Sequence, residues 1–140
     1  NSTLAKMEAL NAGYDEAIML NGAGLVSECS GENIFVAKGD VILTPPTSSG
    51  ALPGITQHTV VNLAADHGID IQVGDLARSD LYTADEIFVV GTAAEVSAVN
   101  SVDDRPVPCP GPATKVLADA YADLVRGRNE TYRAWNELAS

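Results

Sequence analysis

Two apolar runs, Asn33-Ile-Phe-Val-Ala and Val41-Ile-Leu-Thr, are separated only by Lys38-Gly39-Asp40, and this spacing constrains the fold most. So short a connection reads as a β-hairpin, with Gly39 supplying the positive φ of its turn. A hairpin alone is marginal in water, so other elements must extend it and cover its faces. Ile87-Phe-Val-Val90 is continuously apolar, as expected of a strand buried on both faces. A helix runs from a capping Thr56 to about His67, with Val60, Val61, Leu63 and Ala64 as its apolar face and Gly68 as its stop.

The remaining segments follow the same alternation. Residues 2–12 place Leu4, Met7 and Leu10 at helical spacing, and Gly13 is their stop. Glu16–Leu20 and Leu25–Glu28 read as short strands around Gly22-Ala-Gly24. Pro45 to Gly54 lacks periodicity and reads as a loop, of a kind that is often functional or mobile. Ile69–Val73 alternates like a half-buried strand, 79–85 reads as a short capped helix, and 95–102 alternates again into an Asp103-Asp104 turn. Pro112 opens a helix marked by Val116, Leu117, Ala120, Tyr121 and Leu124 that ends at Gly127, and 131–138 reads as a last short helix. With no repeat and no low-complexity tract, the chain is α/β.

Charge narrows the partners. Lys and Arg total 8 against 19 Asp and Glu, for a net charge of −11. That argues against a nucleic-acid backbone or an anionic membrane face. It leaves room for a small anion held by backbone N–H groups at a helix end. No apolar run approaches the roughly 20 residues of a membrane helix. The N-terminal residues lack a signal-peptide pattern, and the absence of an initiator Met leads us to expect a piece of a longer protein. Cys29 and Cys109 lie 80 positions apart, and His58 and His67 are nine apart on one helix, read as surface residues, so no metal site is expected. The thiols read as reduced and partly buried in a cytoplasmic protein. Lys6 reads as paired with nearby acids on a solvated face.

Three loop segments place polar or small residues where elements meet. Ser27-Glu28-Cys29-Ser30-Gly31-Glu32-Asn33 precedes a strand and is either a solvated turn or a site. Leu52-Pro53-Gly54-Ile55-Thr56 opens a helix, where Gly permits close approach and Thr adds a hydroxyl beside free N–H donors; an ordinary helix start has the same look. Gly91-Thr92-Ala93-Ala94-Glu95 follows the buried strand, as a ligand-binding strand end or a tight connection. There is no Walker A, GxGxxG or GxSxG motif.

Taken together, SECSGENIFVAKGDVILTPP, SGALPGIT, LYTADEIFVVGTAAEV and GPATK, in this order and at these intervals, resemble the C-terminal domain of branched-chain amino acid aminotransferases. These are fold-type IV pyridoxal-phosphate enzymes, and the resemblance runs from Asn1 to about Trp135. D-amino acid transaminases and aminodeoxychorismate lyases share the architecture but fit GENIF, ALPGIT and GTAAE less well. A non-catalytic α/β binding module is the alternative from another class.

The resemblance implies a mixed sheet or pseudo-barrel with flanking helices, and a single cofactor-binding domain over residues 1–140. It implies pyridoxal 5′-phosphate as cofactor, amino acid and 2-oxo acid substrates, and a dimer or higher oligomer. By similarity Glu28 pairs with the ring nitrogen and Leu52 packs on the ring. Gly54, Ile55, Thr56 and Thr92 bind phosphate, and the N–H groups of the Gly91-Thr92-Ala93-Ala94 turn receive the substrate carboxylate. Cys29 stands where the family has Gly, which would crowd the ring. Gln57 replaces the usual Arg, a loss of helix-surface charge expected to matter little, and Ala94 and Ser97 replace a redox CxxC seen in some mammalian relatives. The family's Schiff-base lysine and an N-terminal domain would lie before Asn1, so no catalytic residue is assigned here. Lys6 does not match that lysine, and the 140 residues alone are expected to be inactive.

Overall fold

The computed structural model describes residues 1–136, so the end of the helix expected over 131–138 lies outside the described residues. The hairpin forms as expected: β3 (Asn33–Lys38) and β4 (Val41–Thr44) pair antiparallel, with Gly39 at φ 61°. The Asp85 carboxylate pins the turn by accepting the Gly39 N–H at 2.7 Å. β3 also pairs antiparallel with β6 (Glu86–Gly91), and β6 with β7 (Glu95–Ala98). β5 (Asp70–Val73) joins β4 in parallel, a pairing that requires the crossover helix α2 (Ile55–Asp66). The result is a mixed five-stranded sheet of order β5-β4-β3-β6-β7.

Both faces of β3 and β6 are covered, which is why their sequences are continuously apolar rather than alternating. α2 and α4 (Pro112–Val125) cover one face, where Phe35 and Phe88 meet Val60, Leu63 and Leu117. Phe35 lies opposite Phe88 in the ladder, with the rings stacked and their centroids 4.9 Å apart. The other face packs Ile34, Val36 and Ile87 against β2 (Val26–Cys29), α3 (Arg78–Tyr82) and Val107. Two small antiparallel pairs complete the fold: β1 (Ile18–Leu20) with β2, and β8 (Ser101–Val102) with β9 (Arg105–Pro106).

Several expectations are corrected. The 95–102 strand is broken, because Asp103 and Asp104 both take positive φ and form a tight turn that draws Ser101–Val102 away from the sheet onto β9. Helix α1 (Ser2–Asn11) forms, but Leu4, Met7 and Leu10 are exposed and none of its residues is buried. Gly54, not Thr56, is the N-cap of α2. The loop from Pro45 holds a 3-10 turn over Thr47–Ser49, and the last short helix is also 3-10, over Glu130–Trp135. Cys29 is buried and Cys109 exposed, both unpaired; His58 and His67 are surface residues. Lys6 is only half-exposed, and its Nζ donates to Glu16 at 2.8 Å and to the Asp15 carbonyl at 2.6 Å.

Candidate functional site

The end of β2, the start of α2 and the turn after β6 meet at one cleft of about 580 Å³. Glu28 stands half-buried at its edge, and its Oε2 accepts the Leu52 N–H at 2.8 Å. Asn33, at the start of β3, donates from Nδ2 to the Leu52 carbonyl at 2.7 Å. One side chain from each of two strands thus holds the loop that leads into α2. Asn33 also fixes what can occupy position 54, since a Cβ on Gly54 would lie 2.2 Å from Asn33 Oδ1.

Beyond that loop the cleft combines apolar surface with free donors. Leu52 is 67% and Ile55 88% exposed, so two large apolar side chains stand at its mouth. The His58 N–H makes the first bond of α2, to the Gly54 carbonyl at 3.0 Å, which leaves the N–H groups of Ile55, Thr56 and Gln57 without helical partners. No side chain caps them. Thr56 and Thr92 line the same cleft, as does Gly91, where a Cβ would lie 3.3 Å from the Gly31 carbonyl. The helix dipole and these donors favour an anion here without any basic side chain.

The structure therefore gathers Glu28, Leu52, Gly54, Ile55, Thr56, Gly91 and Thr92 at one place. Ala93 does not line this cleft, and Ala94 faces a second hollow of about 800 Å³ behind β2. Residues 92–94 form the tight connection between β6 and β7. Cys29 packs in the core with Val26 and Leu81 and also lines the cleft. Burial, then the carboxylates of Glu16, Glu32 and Glu28, push its thiol up, so it is not a thiolate. Gln57 Nε2 donates to Thr44 Oγ1 at 3.1 Å, tying α2 to β4.

Two contributors were not legible beforehand. Ser2, at the start of α1, also lines the cleft, and only the folded chain brings it there. From outside the cleft, Lys6 and Glu16 reach Ser30 and Glu32, which line it beside Glu28. Burial pushes the Glu16 carboxyl up, but hydrogen bonds from Glu32, Lys6, Ser30 and the Ala17 N–H outweigh it and hold Glu16 at about 2. Burial and the adjoining Glu16 raise Glu32 to about 7. Among the described residues no group of three His, Cys, Asp or Glu is placed to hold a metal ion, and no helix is long and apolar enough to cross a membrane.

A mixed sheet with flanking helices and a cleft of this composition define a class, and the family comparison agrees with it. The model for amino-transferase class IV matches residues 1–102, and the chain belongs to that family. Its relatives are more particular. The branched-chain-amino-acid aminotransferase of Pseudomonas aeruginosa is 46% identical over 140 residues, 99% of this chain and 45% of the relative. A probable branched-chain-amino-acid aminotransferase of Aquifex aeolicus is 46% identical over 96% of this chain and 44% of its own length. Among solved structures, the branched-chain aminotransferase of Thermoproteus uzoniensis with norvaline superposes with a TM-score of 0.93 at 46% identity, covering 96% of this chain and 45% of that one. The branched-chain amino acid aminotransferase of Thermobaculum terrenum, in its PLP-bound holo-form, gives 0.92 at 39% identity, over 96% of this chain and 45% of that one. The chain thus spans a little under half the length of these relatives.

Proposed function

We propose that the chain is the C-terminal, cofactor-binding part of a pyridoxal-phosphate-dependent enzyme that moves an amino group between branched-chain amino acids and 2-oxoglutarate. One observation carries this reading: a carboxylate, an exposed apolar platform and an uncapped helix N-terminus converge on one cleft. A pyridine ring that bears a phosphate needs all three, and the residues present fit the group. Glu28 would hold a proton at the ring nitrogen, and Leu52 would cover one ring face. The N–H groups of Ile55 and Thr56, with the Thr56 and Thr92 hydroxyls, would hold the phosphate. The N–H groups around Thr92 and Ala93 would receive the substrate carboxylate. When bound, the cofactor supplies an electron sink for the substrate Cα.

The names of the relatives support the substrate class. No lysine borders the cleft among the described residues, so the amine that anchors the cofactor would come from the rest of the enzyme. The reading extends to a dimer or higher oligomer, and to the cytoplasm, where two unpaired thiols are at home. It is tested in the full-length protein by titration with pyridoxal phosphate and with pyridoxal, followed by 2-oxoglutarate-dependent turnover of leucine. Preference for the phosphorylated form and turnover of leucine are expected. Equal binding of the two forms would overturn the phosphate site, and turnover of D-alanine in place of leucine would overturn the substrate class.

A further inference from the structure

Glu16 lies outside the cleft, yet its carboxylate holds two of the cleft's walls. Its Oε1 accepts from the Ala17 N–H at 2.7 Å, from the Ser30 N–H at 3.2 Å and from the Ser30 hydroxyl. Ser30 is two residues beyond Glu28, at the point where β2 ends. The Ser30 N–H is also shared with the Ala17 carbonyl at 3.0 Å, and Ile18 pairs with Cys29 in the adjoining ladder. The β1–β2 register shifts between Ile18 and Leu20, and at this end the Cys29 N–H bonds the Glu32 carbonyl at 2.8 Å. The side chain of Glu16 adds a side-chain attachment to these backbone bonds.

The other oxygen faces α1. Glu16 Oε2 accepts from Lys6 Nζ at 2.8 Å, and Lys6 stands one turn along the helix from Ser2, which lines the cleft. The remainder of α1 is held little by packing, since none of its residues is buried. Glu32 completes the cluster: its Oε2 is buried near Glu16 with no hydrogen-bond partner. A removable surface ion pair would not be built this way. The carboxylate is mostly enclosed, with 20% of its side chain exposed, and it joins three separate segments.

We propose that Glu16 is a positioning residue for the cofactor site: by latching Ser30 it fixes Glu28 opposite the ring nitrogen, and through Lys6 it holds the start of α1 against the same cleft. This rests on the assignment of Glu28 given above. Loss of the latch lets the end of β2 shift, so the ion pair between Glu28 and a protonated ring nitrogen weakens while the phosphate donors on α2 stay in place. The consequence is selective, and that selectivity separates positioning from general damage.

The experiment uses the full-length enzyme and two cofactor forms: pyridoxal phosphate, and its analogue with carbon in place of the ring nitrogen. Glu16→Ala should weaken pyridoxal phosphate about tenfold and change affinity for the carbon analogue less than twofold. In the Glu28→Gln background Glu16→Ala should add no further loss. Ser30→Ala, which removes one hydroxyl and nothing else, should show the same selectivity at about threefold, and it keeps the test readable if Glu16→Ala does not fold. Equal weakening of both forms would make Glu16 a general structural residue and overturn the proposal, as would an unchanged affinity for both. If Glu28→Gln itself leaves pyridoxal phosphate binding unchanged, the assignment of Glu28 falls, and the role of Glu16 falls with it.

Discussion

At Glu32 the folded protein retains a proton that an unfolded carboxyl releases near pH 4.5, because burial and the Glu16 carboxylate raise it to about 7. The stability linked to that proton is complete below pH 4.5 and is lost as pH rises through 7. Glu16 acts in the opposite sense: held at about 2, it contributes above pH 4.5 and loses that contribution as pH falls through 2. The pair, with Lys6 as its cation, is therefore most stabilising between about pH 4 and 5. Glu32→Gln keeps an N–H donor toward Glu16 but does not titrate. Thermal melts from pH 5 to 8 should show wild type losing about 1 kcal/mol that the variant keeps, a figure reduced for solvent screening of half-open groups. Identical slopes for the two proteins would show that Glu32 does not retain the extra proton. At the cleft edge, Glu28→Gln removes the carboxylate that would keep the ring nitrogen charged. In the full-length enzyme, transamination should fall at least about a hundredfold with circular dichroism unchanged.

Two helix starts use the same chemistry for different ends. α4 begins against Glu86, whose buried carboxylate accepts the Ala113 and Thr114 N–H groups at 3.1 and 3.0 Å and the Thr114 hydroxyl at 2.7 Å. A Cβ on Gly111 would lie 2.0 Å from Glu86 Oε2, so Gly111 is there for close approach. Glu86→Gln keeps the volume and loses the charge at a helix N-terminus. It should lower stability by about 1–2 kcal/mol in urea and speed amide exchange at Ala113 and Thr114. α2, by contrast, leaves its first N–H groups free. Thr56→Val with Thr92→Val should weaken pyridoxal phosphate at least tenfold and pyridoxal little, as read by parallel titrations. The sequence revealed the hairpin, the three long helices and the buried Ile87–Val90 strand, because each carries its own period or turn residue. It revealed the motifs of the cleft only together, since Gly54 and Gly91 are ordinary turn glycines until Asn33 and Gly31 close on them. Glu86 and Glu16 stayed invisible. Their partners lie 27 or 28 and 14 residues away, and nothing local marks a carboxylate that caps a distant helix or latches a distant strand.

For the molecule as a whole, the decisive question is where an amine could reach the cleft. The chain has three lysines, and each is placed elsewhere. Lys6 Nζ is engaged by Glu16 and the Asp15 carbonyl, and the Glu16 hydrogen bond raises its pKa despite partial burial, so it stays protonated and is a poor nucleophile. Lys38 pairs with Asp80 at 3.2 Å beside the hairpin turn, and Lys115 stands exposed on α4. An unprotonated amine aimed at the bound aldehyde carbon is what anchors such a cofactor and later moves the substrate's Cα proton. On the function proposed above, the 140 residues would offer the ring a platform, a phosphate site and a carboxylate, but no such amine. Purified as these 140 residues, the protein should bind pyridoxal phosphate without turning over leucine and 2-oxoglutarate. Borohydride reduction followed by peptide mapping should find no stoichiometric adduct on Lys6, Lys38 or Lys115. The full-length protein, treated identically, should turn over and carry one adduct on a lysine outside this stretch. An adduct on Lys6 together with leucine turnover by the 140 residues alone would show that the cleft is reached from α1, and would move the catalytic amine into this chain.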